Sequence, residues 1–203
     1  PSVAFISRSV LLFSLCVRPL PCPARPLLRQ ARSNIKQDSL SRADAIICIS
    51  QTTRDDLQDF YQVDLNKVFV VPLGVSDIFK CDLGTIEKRR KKSQLLYVGS
   101  REGYKDFNTL LYAFSYSKFL KENMEVLVFG SRFNQNEKDL IESLGVRNNF
   151  RELYGDDKAL ASAYQESLAL IVTSTYEGFG LTVLEAMMSG CVVISTRGGS
   201  LGD

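Results

Sequence analysis

Two short segments of this 203-residue chain gather side chains able to do chemistry. The first is Gly99-Ser100-Arg101-Glu102-Gly103-Tyr104-Lys105, directly after the apolar run Leu95 to Val98. Gly99 and Gly103 loosen the turn, and two cations four residues apart precede a helix expected near Asp106. A helix N-terminus attracts phosphate, and Arg101 with Lys105 there would neutralise a diphosphate. The other reading is an ordinary strand-to-helix loop, because this glycine spacing is common. The second segment is Thr173 to Leu184, TSTYEGFGLTVL, in which Glu177 precedes Gly178, Phe179, Gly180 and Leu181, with Glu185 in the helix that follows. Flanking glycines let the backbone approach a ligand while presenting successive N–H groups to it. A carboxylate in front of such a nest repels phosphate and suits hydroxyl groups, as on a sugar. Glu185 also has two readings: a ligand contact, or the partner of Thr182 in a T-x-x-E capping box that spends both side chains on the helix's own amides.

The pattern of the chain supplies elements to position these residues. Residues 28–42 read as a helix, 45–50 (AIICIS) as a buried strand, and Ser50 to Thr53 as a cap opening a helix through about Tyr61, with Asp55 and Asp56 in its first turn. A strand at 68–71 closes on Pro72. Strands at 94–99, 125–129, 149–153, 168–173 and 191–196 then alternate with helices at 106–121, 136–144, 157–166 and 182–189. Gly190 stops the last of these helices, and Met187 and Met188 read as core. Strands separated by helices of this length form parallel β-α-β units, so the fold class is α/β with a doubly wound sheet. Open parallel sheets bind ligands at the carboxyl ends of their strands, where both segments lie.

Composition narrows the chemistry. Hydrophobic residues at 45% and charged residues at 24% suffice for a packed core. The chain has no histidine, which removes from it imidazole bases, histidine metal ligands and Ser-His-Asp triads. Five cysteines, an odd number with no C-x-x-C pair, support neither a disulfide framework nor a zinc ribbon and fit a reducing, cytoplasmic setting. A net charge of +2 gives no reason for a nucleic-acid partner. Residues 1–42 are locally basic, with seven basic residues to one acid. Five of the six prolines fall within residues 1–26, so residues 1–27 read as a tail or the torn edge of a larger domain; an anionic membrane surface would suit its charge, a solvated end being the default. The run Lys88 to Lys92 reads as a solvated linker.

At Tyr176-Glu-Gly-Phe-Gly-Leu-Thr-Val-Leu-Glu-Ala-Met-Met-Ser-Gly-Cys-Val-Val-Ile-Ser195 the sequence resembles the E-x7-E signature of retaining glycosyltransferases of family 4, in the glycogen-synthase-like superfamily with the GT-B fold. ADAIICIS (43–50), VPLGVSDIF (71–79), LLYVGSREGYKDFNTLL (95–111) and VLVFG (126–130) agree in order, so the resemblance covers about residues 28–203. It implies two facing Rossmann-like domains, the donor held mainly by the carboxyl-terminal one. Here residues 28–74 would be a remnant of the amino-terminal acceptor-side domain, 75–93 a linker and 94–203 a truncated donor-binding domain.

The resemblance further implies that Glu177 is the catalytic-site carboxylate on the donor sugar's hydroxyls. The backbone at Phe179, Gly180 and Leu181 would meet sugar and phosphate, Glu185 the ribose, and Arg101 and Lys105 the diphosphate, with Gly99 also among the donor-binding residues. Leu153, Tyr154, Gly155 and Asp156 would lie beside the nucleobase. No D-x-D occurs, so no cofactor and no obligatory metal are expected, and fixed cations with a helix terminus would stabilise the leaving group. The expected function is hexosyl transfer, with retention, from a nucleotide-diphosphate sugar to a saccharide or lipid-linked acceptor in polysaccharide biosynthesis. It would occur in the cytoplasm with peripheral contact at the inner face of a membrane, and this chain alone would be inactive. The alternatives are a non-catalytic nucleotide-sugar-binding or interaction module, and a GT-B sugar-nucleotide epimerase or glycan phosphorylase, which would need a histidine or a pyridoxal-bearing lysine segment. Three features depart from the family: Thr182 stands where proline is usual, the histidine-containing amino-terminal loop has no counterpart, and most of that domain is missing.

Overall fold

The computed structural model describes residues 3–7, 10–13, 35–81 and 92–202. The chain divides into two compact units, one of Pro1–Leu73, Tyr176–Gly180 and Arg197–Asp203, the other of Gly74–Thr175 and Leu181–Thr196. The span 94–203, expected as one domain, is therefore split. The physical reason is hydrogen bonding: Tyr176 and Gly178 bond to Asp56, Ser50 and Thr53 of the amino-terminal segment, and Glu177 carries Gly199 along by a parallel bridge.

The first unit has a four-stranded sheet in the order β1 (Val3–Ser7), β2 (Val10–Phe13), β3 (Ala45–Cys48), β4 (Val68–Val70). β1 and β2 pair antiparallel, and β2, β3 and β4 are parallel. Two strands thus come from the segment that sequence reading left unassigned. The apolar runs VAFIS and VLLF precede the proline-dense stretch, so the prolines do not interrupt them. Residues 14–34, including that stretch and the first part of the expected 28–42 helix, lie outside the described residues.

Residues 35–42 are helical (α1), and α2 spans Gln51–Tyr61. Ser50 is the α2 N-cap, its hydroxyl accepting from the Thr53 amide at 3.0 Å. Because α2 begins at Gln51, Asp55 and Asp56 fall beyond its first turn, and the expected dipole pairing does not arise. Leu40, Ala43, Ile46, Cys48, Leu57 and Val68 form the core of this unit. Burial pushes the Cys48 thiol up to about 11, which keeps it protonated and inert.

The second unit has five parallel strands in the order β7-β6-β5-β8-β9: β5 Gln94–Val98, β6 Glu125–Phe129, β7 Phe150–Leu153, β8 Ala169–Val172 and β9 Val192–Ser195. The helices between them are α3 Phe107–Tyr116, α4 Lys118–Asn123, α5 Gln135–Ser143, α6 Asp157–Glu166 and α7 Leu181–Met188. The single helix expected over 106–121 is two, because Ser117 is extended and its hydroxyl caps α4 by accepting from the Leu120 amide at 3.2 Å. The strand sequence grows from β5 outward to β7 and then returns to the other side of β5. With right-handed crossovers this reversal places helices on both faces, the doubly wound arrangement.

Phe107, Leu111, Phe114, Val126, Val128, Ile141 and Phe150 are buried together between sheet and helices, each contributing on the order of 1.5–3 kcal/mol. That core fixes the carboxyl ends of β5, β6 and β7 as a rigid frame. Met187 is 62% exposed, so the expectation that it is core does not hold. Met188, at 36%, is exposed as well, and Ala186 is the buried residue of α7.

Candidate functional site

In the second unit the order reverses between β5 and β8, and the loops leaving these two strands are tied together. The Thr175 amide donates to the Tyr104 carbonyl at 2.7 Å, and the Thr173 hydroxyl donates to the Lys105 carbonyl at 2.9 Å. Gly99 takes φ +114, a left-handed value that suits glycine, and its amide donates to the Phe129 carbonyl at 3.0 Å. Gly103–Lys105 is a 3-10 turn leading through Asp106 into α3. The ammonium of Lys105 sits 5.3 Å from the centroid of the Tyr104 ring.

Arg101 does not hang over this helix terminus as the sequence suggests. Its side chain is only 3% exposed, with Nε 2.8 Å from Glu137 Oε1 and Nη2 3.1 Å from Glu137 Oε2. Nη1 donates to the Ser131 carbonyl at 2.9 Å and Nη2 to the Arg132 carbonyl at 2.8 Å. The guanidinium also lies 5.1 Å from the centre of the Phe133 ring. A fork of fixed donors spent on a carboxylate and two carbonyls has little left for a diphosphate. Glu137 is held in turn by a capping box with Asn134 at the start of α5. Arg101 therefore joins the loop after β5 to the loop after β6, and of the two expected phosphate ligands Lys105 remains the candidate.

The four residues expected near a nucleobase lie at the end of β7. The Leu153 carbonyl accepts from the Gly130 amide at 2.9 Å, and the carboxylate of Asp156 caps α6 by accepting from the Ala159 amide at 3.0 Å. Gly155 fits because a Cβ there would stand 2.7 Å from the Ala159 Cβ. Tyr154 is 60% exposed, and the Arg132 guanidinium lies over its ring at 5.6 Å. This gives the carboxyl edge of the sheet an exposed planar face of the kind on which a base can stack.

Glu185 is not in a capping box. α7 begins at Leu181, so the N-cap position is Gly180 and Thr182, although three residues ahead of Glu185, lies inside the first turn two positions past the cap. Instead the Tyr164 hydroxyl donates to Glu185 Oε2 at 3.0 Å. Burial raises the Glu185 carboxyl above its ordinary range, Tyr164 opposes that shift as a donor, and Asp157 adds to it. Burial and then Glu185 push the Tyr164 phenol far above its ordinary range. A carboxyl with a raised value in the folded state favours folding at low pH, and that contribution is lost as pH rises from about 4.3 through the raised value. Stability measured by urea titration is expected to decline over that window, and Glu185→Gln to abolish this part of the decline. An unchanged pH profile in the variant would contradict the assignment.

In the first unit, Glu177 is 8% exposed and its main chain is held on both sides. Its amide donates to the Gly198 carbonyl at 3.1 Å, and its carbonyl accepts from the Ser200 amide at 2.9 Å and the Ser200 hydroxyl at 3.1 Å. The Gly178 carbonyl accepts from the Ser50 hydroxyl at 2.6 Å and the Thr53 hydroxyl at 3.2 Å, and the Tyr176 hydroxyl donates to the Asp56 carboxylate. Phe179 is half-buried, and Gly180 has φ +83, which turns the chain toward Leu181 at the head of α7.

Residues 84–203 match the family model described as Glycosyl transferases group 1, and residues 18–77 that described as Glycosyltransferase Family 4. The chain belongs to the glycosyl transferases group 1. It is 28% identical over 158 residues to a probable sucrose-phosphate synthase of Thermosipho melanesiensis, a match covering 73% of this chain and 37% of that protein. Among solved structures, a sucrose-phosphate synthase from Thermosynechococcus elongatus aligns with a TM-score of 0.73 at 21% identity, covering 88% of this chain and 47% of that one. Anabaena HepE in complex with UDP-glucose aligns with a TM-score of 0.71 at 18% identity, covering 85% and 50%. The α/β fold with its parallel sheet is thus that of GT-B glycosyltransferases, in part. The chain spans less than half the length of the curated relatives it matches.

Several members of the candidate site escape a reading by spacing. Glu137 carries a visible signal, the N-x-x-E box at Asn134, but nothing local links it to Arg101. Tyr164, Tyr176, Asp56 and Gly199 carry none, since their roles come from residues distant in sequence.

Proposed function

We propose that the whole protein transfers a hexose from a nucleotide-diphosphate sugar to a saccharide or lipid-linked acceptor, with retention of anomeric configuration. The observation that carries this reading is the Glu177 segment, a carboxylate followed by a glycine-rich turn into a helix, fixed by main-chain bonds on both sides. Glu177 then holds donor-sugar hydroxyls, and the backbone at Phe179, Gly180 and Leu181 approaches sugar and phosphate at a helix terminus where N–H groups lack intrahelical partners. Glu185 accepts from the ribose, Gly99 lets the chain pass close to the diphosphate, and Lys105 supplies its countercharge. Tyr154, in the stretch Leu153 to Asp156, offers the base a stacking face.

Relatives support the donor class, since HepE binds UDP-glucose. The absence of any D-x-D in the sequence supports departure of the diphosphate without an obligatory metal. Among the described residues no helix is long and apolar enough to cross a membrane. A cytoplasmic location with peripheral contact at the inner membrane face is part of the proposal.

The test is to assay the full-length protein with UDP-, GDP- and ADP-sugars and saccharide or lipid acceptors, following the product anomer by NMR. Transfer with retention, undiminished in EDTA, is expected. Binding of sugar nucleotides without transfer would make the protein a non-catalytic binder, and an inverted product would refute retention. Loss of activity in EDTA restored by magnesium or manganese would refute metal independence. Glu185→Gln is expected to weaken nucleotide binding about tenfold, roughly 1.4 kcal/mol.

A further inference from the structure

We infer that Tyr176 and Asp56 are positioning residues for Glu177, and that the first turns of α2, through Ser50 and Thr53 as well, hold the Glu177 segment in its working shape. The three residues of this segment are fastened one by one. Tyr176, 6% exposed, donates its phenol proton to the carboxylate of Asp56, itself 4% exposed. Glu177 is fixed by its own amide and carbonyl, and the Gly178 carbonyl accepts from two hydroxyls of the α2 start.

A buried carboxylate and a buried phenol are costly to leave unpaired, so this link resists rearrangement more than a surface contact would. Gly178 on its own is permissive, and a peptide next to it can rotate cheaply. Two hydroxyl donors on its carbonyl remove that freedom at the residue following Glu177, as the phenol does at the residue preceding it. Ser50 thereby serves twice: its oxygen accepts from the Thr53 amide as the helix cap while its proton goes to Gly178. The side chains that impose this geometry stand more than a hundred residues earlier in the chain than the segment they hold.

The functional consequence rests on the proposed role of Glu177 in sugar binding, and the experiment separates the two. In the full-length protein without ligand, hydrogen exchange of the Glu177 amide is expected to rise at least tenfold in Tyr176→Phe and in Asp56→Ala. It should stay near wild type in Asp56→Asn, whose amide oxygen still accepts from the phenol. Exchange at Leu111 and Val128 in the other unit should not change. Wild-type protection of Glu177 in Tyr176→Phe would overturn the inference. With the tightest-binding member of a UDP-, GDP- and ADP-sugar panel, Tyr176→Phe is expected to weaken the sugar nucleotide about tenfold while sparing the matching nucleoside diphosphate. The double variant Tyr176→Phe/Glu177→Gln should be no weaker than Glu177→Gln alone. Independent losses in the double variant, or equal loss for both ligands, would refute action through Glu177. If Glu177→Gln leaves every sugar nucleotide unaffected, the sugar-binding role fails, while the exchange measurement still decides the anchoring.

Discussion

Gly199→Ala is expected to be among the most damaging single-methyl additions in this protein. Gly199 sits at φ +67, and a Cβ there would stand 2.2 Å from the Glu177 carbonyl oxygen and 2.9 Å from its nitrogen. Two costs therefore add. The left-handed backbone costs a non-glycine residue about 1–2 kcal/mol, and the clash with main-chain atoms, which unlike a side-chain tip cannot swing aside, adds about 1–3 kcal/mol. The matched control is Gly103→Ala, at φ +58 with nothing within 4 Å of the added carbon, which should show only the first cost. Thermal denaturation of both variants, with hydrogen exchange at Glu177, checks the difference. Equal losses in the two would mean that Gly199 can shift freely, and that the bridge to Glu177 does not define the segment.

Much of the second unit is legible from sequence because its signals are local. The runs QLLYV, EVLVF and ALIV are apolar enough to be buried strands without alternation, and α6 is bracketed by an Asp156 cap and by Ser167. The strand order follows from alternation of strand and helix together with the handedness of crossovers. What spacing could not supply is whatever depends on a distant partner. Arg101 reads as an exposed phosphate ligand until Glu137, thirty-six positions later, is seen to neutralise it. Glu185 reads as half of a capping box because Thr182 has the right spacing; the helix start one residue earlier than expected, and Tyr164 beside the carboxylate, decide otherwise. Asp56 reads as an ornament of a helix dipole, and its partner is Tyr176. The first two strands were hidden for another reason: a neighbouring proline-rich stretch dominated the composition of the whole segment.

The second large effect is expected at Arg101. With side-chain exposures of 3% and 11%, Arg101 and Glu137 form a desolvated pair, and removing one partner of such a pair strands the other charge. Arg101→Met is therefore expected to cost about 3–5 kcal/mol of stability. Arg101→Lys should also be destabilising, because one ammonium cannot reach both carboxylate oxygens and the Ser131 and Arg132 carbonyls together. The double variant Arg101→Met/Glu137→Leu should lose less than the sum of its singles by about 0.5–3 kcal/mol, measured by denaturant unfolding in a double-mutant cycle. A phosphate-binding Arg101 makes the opposite forecast: near wild-type stability, strict additivity with Glu137, and a selective loss of nucleoside diphosphate affinity. The cycle thus tells a residue that grips the ligand from one that shapes the loops around it, and five donor contacts inside the second unit favour the latter. On that outcome the countercharge for the proposed diphosphate ligand would fall to Lys105, aided by the N-terminus of α7.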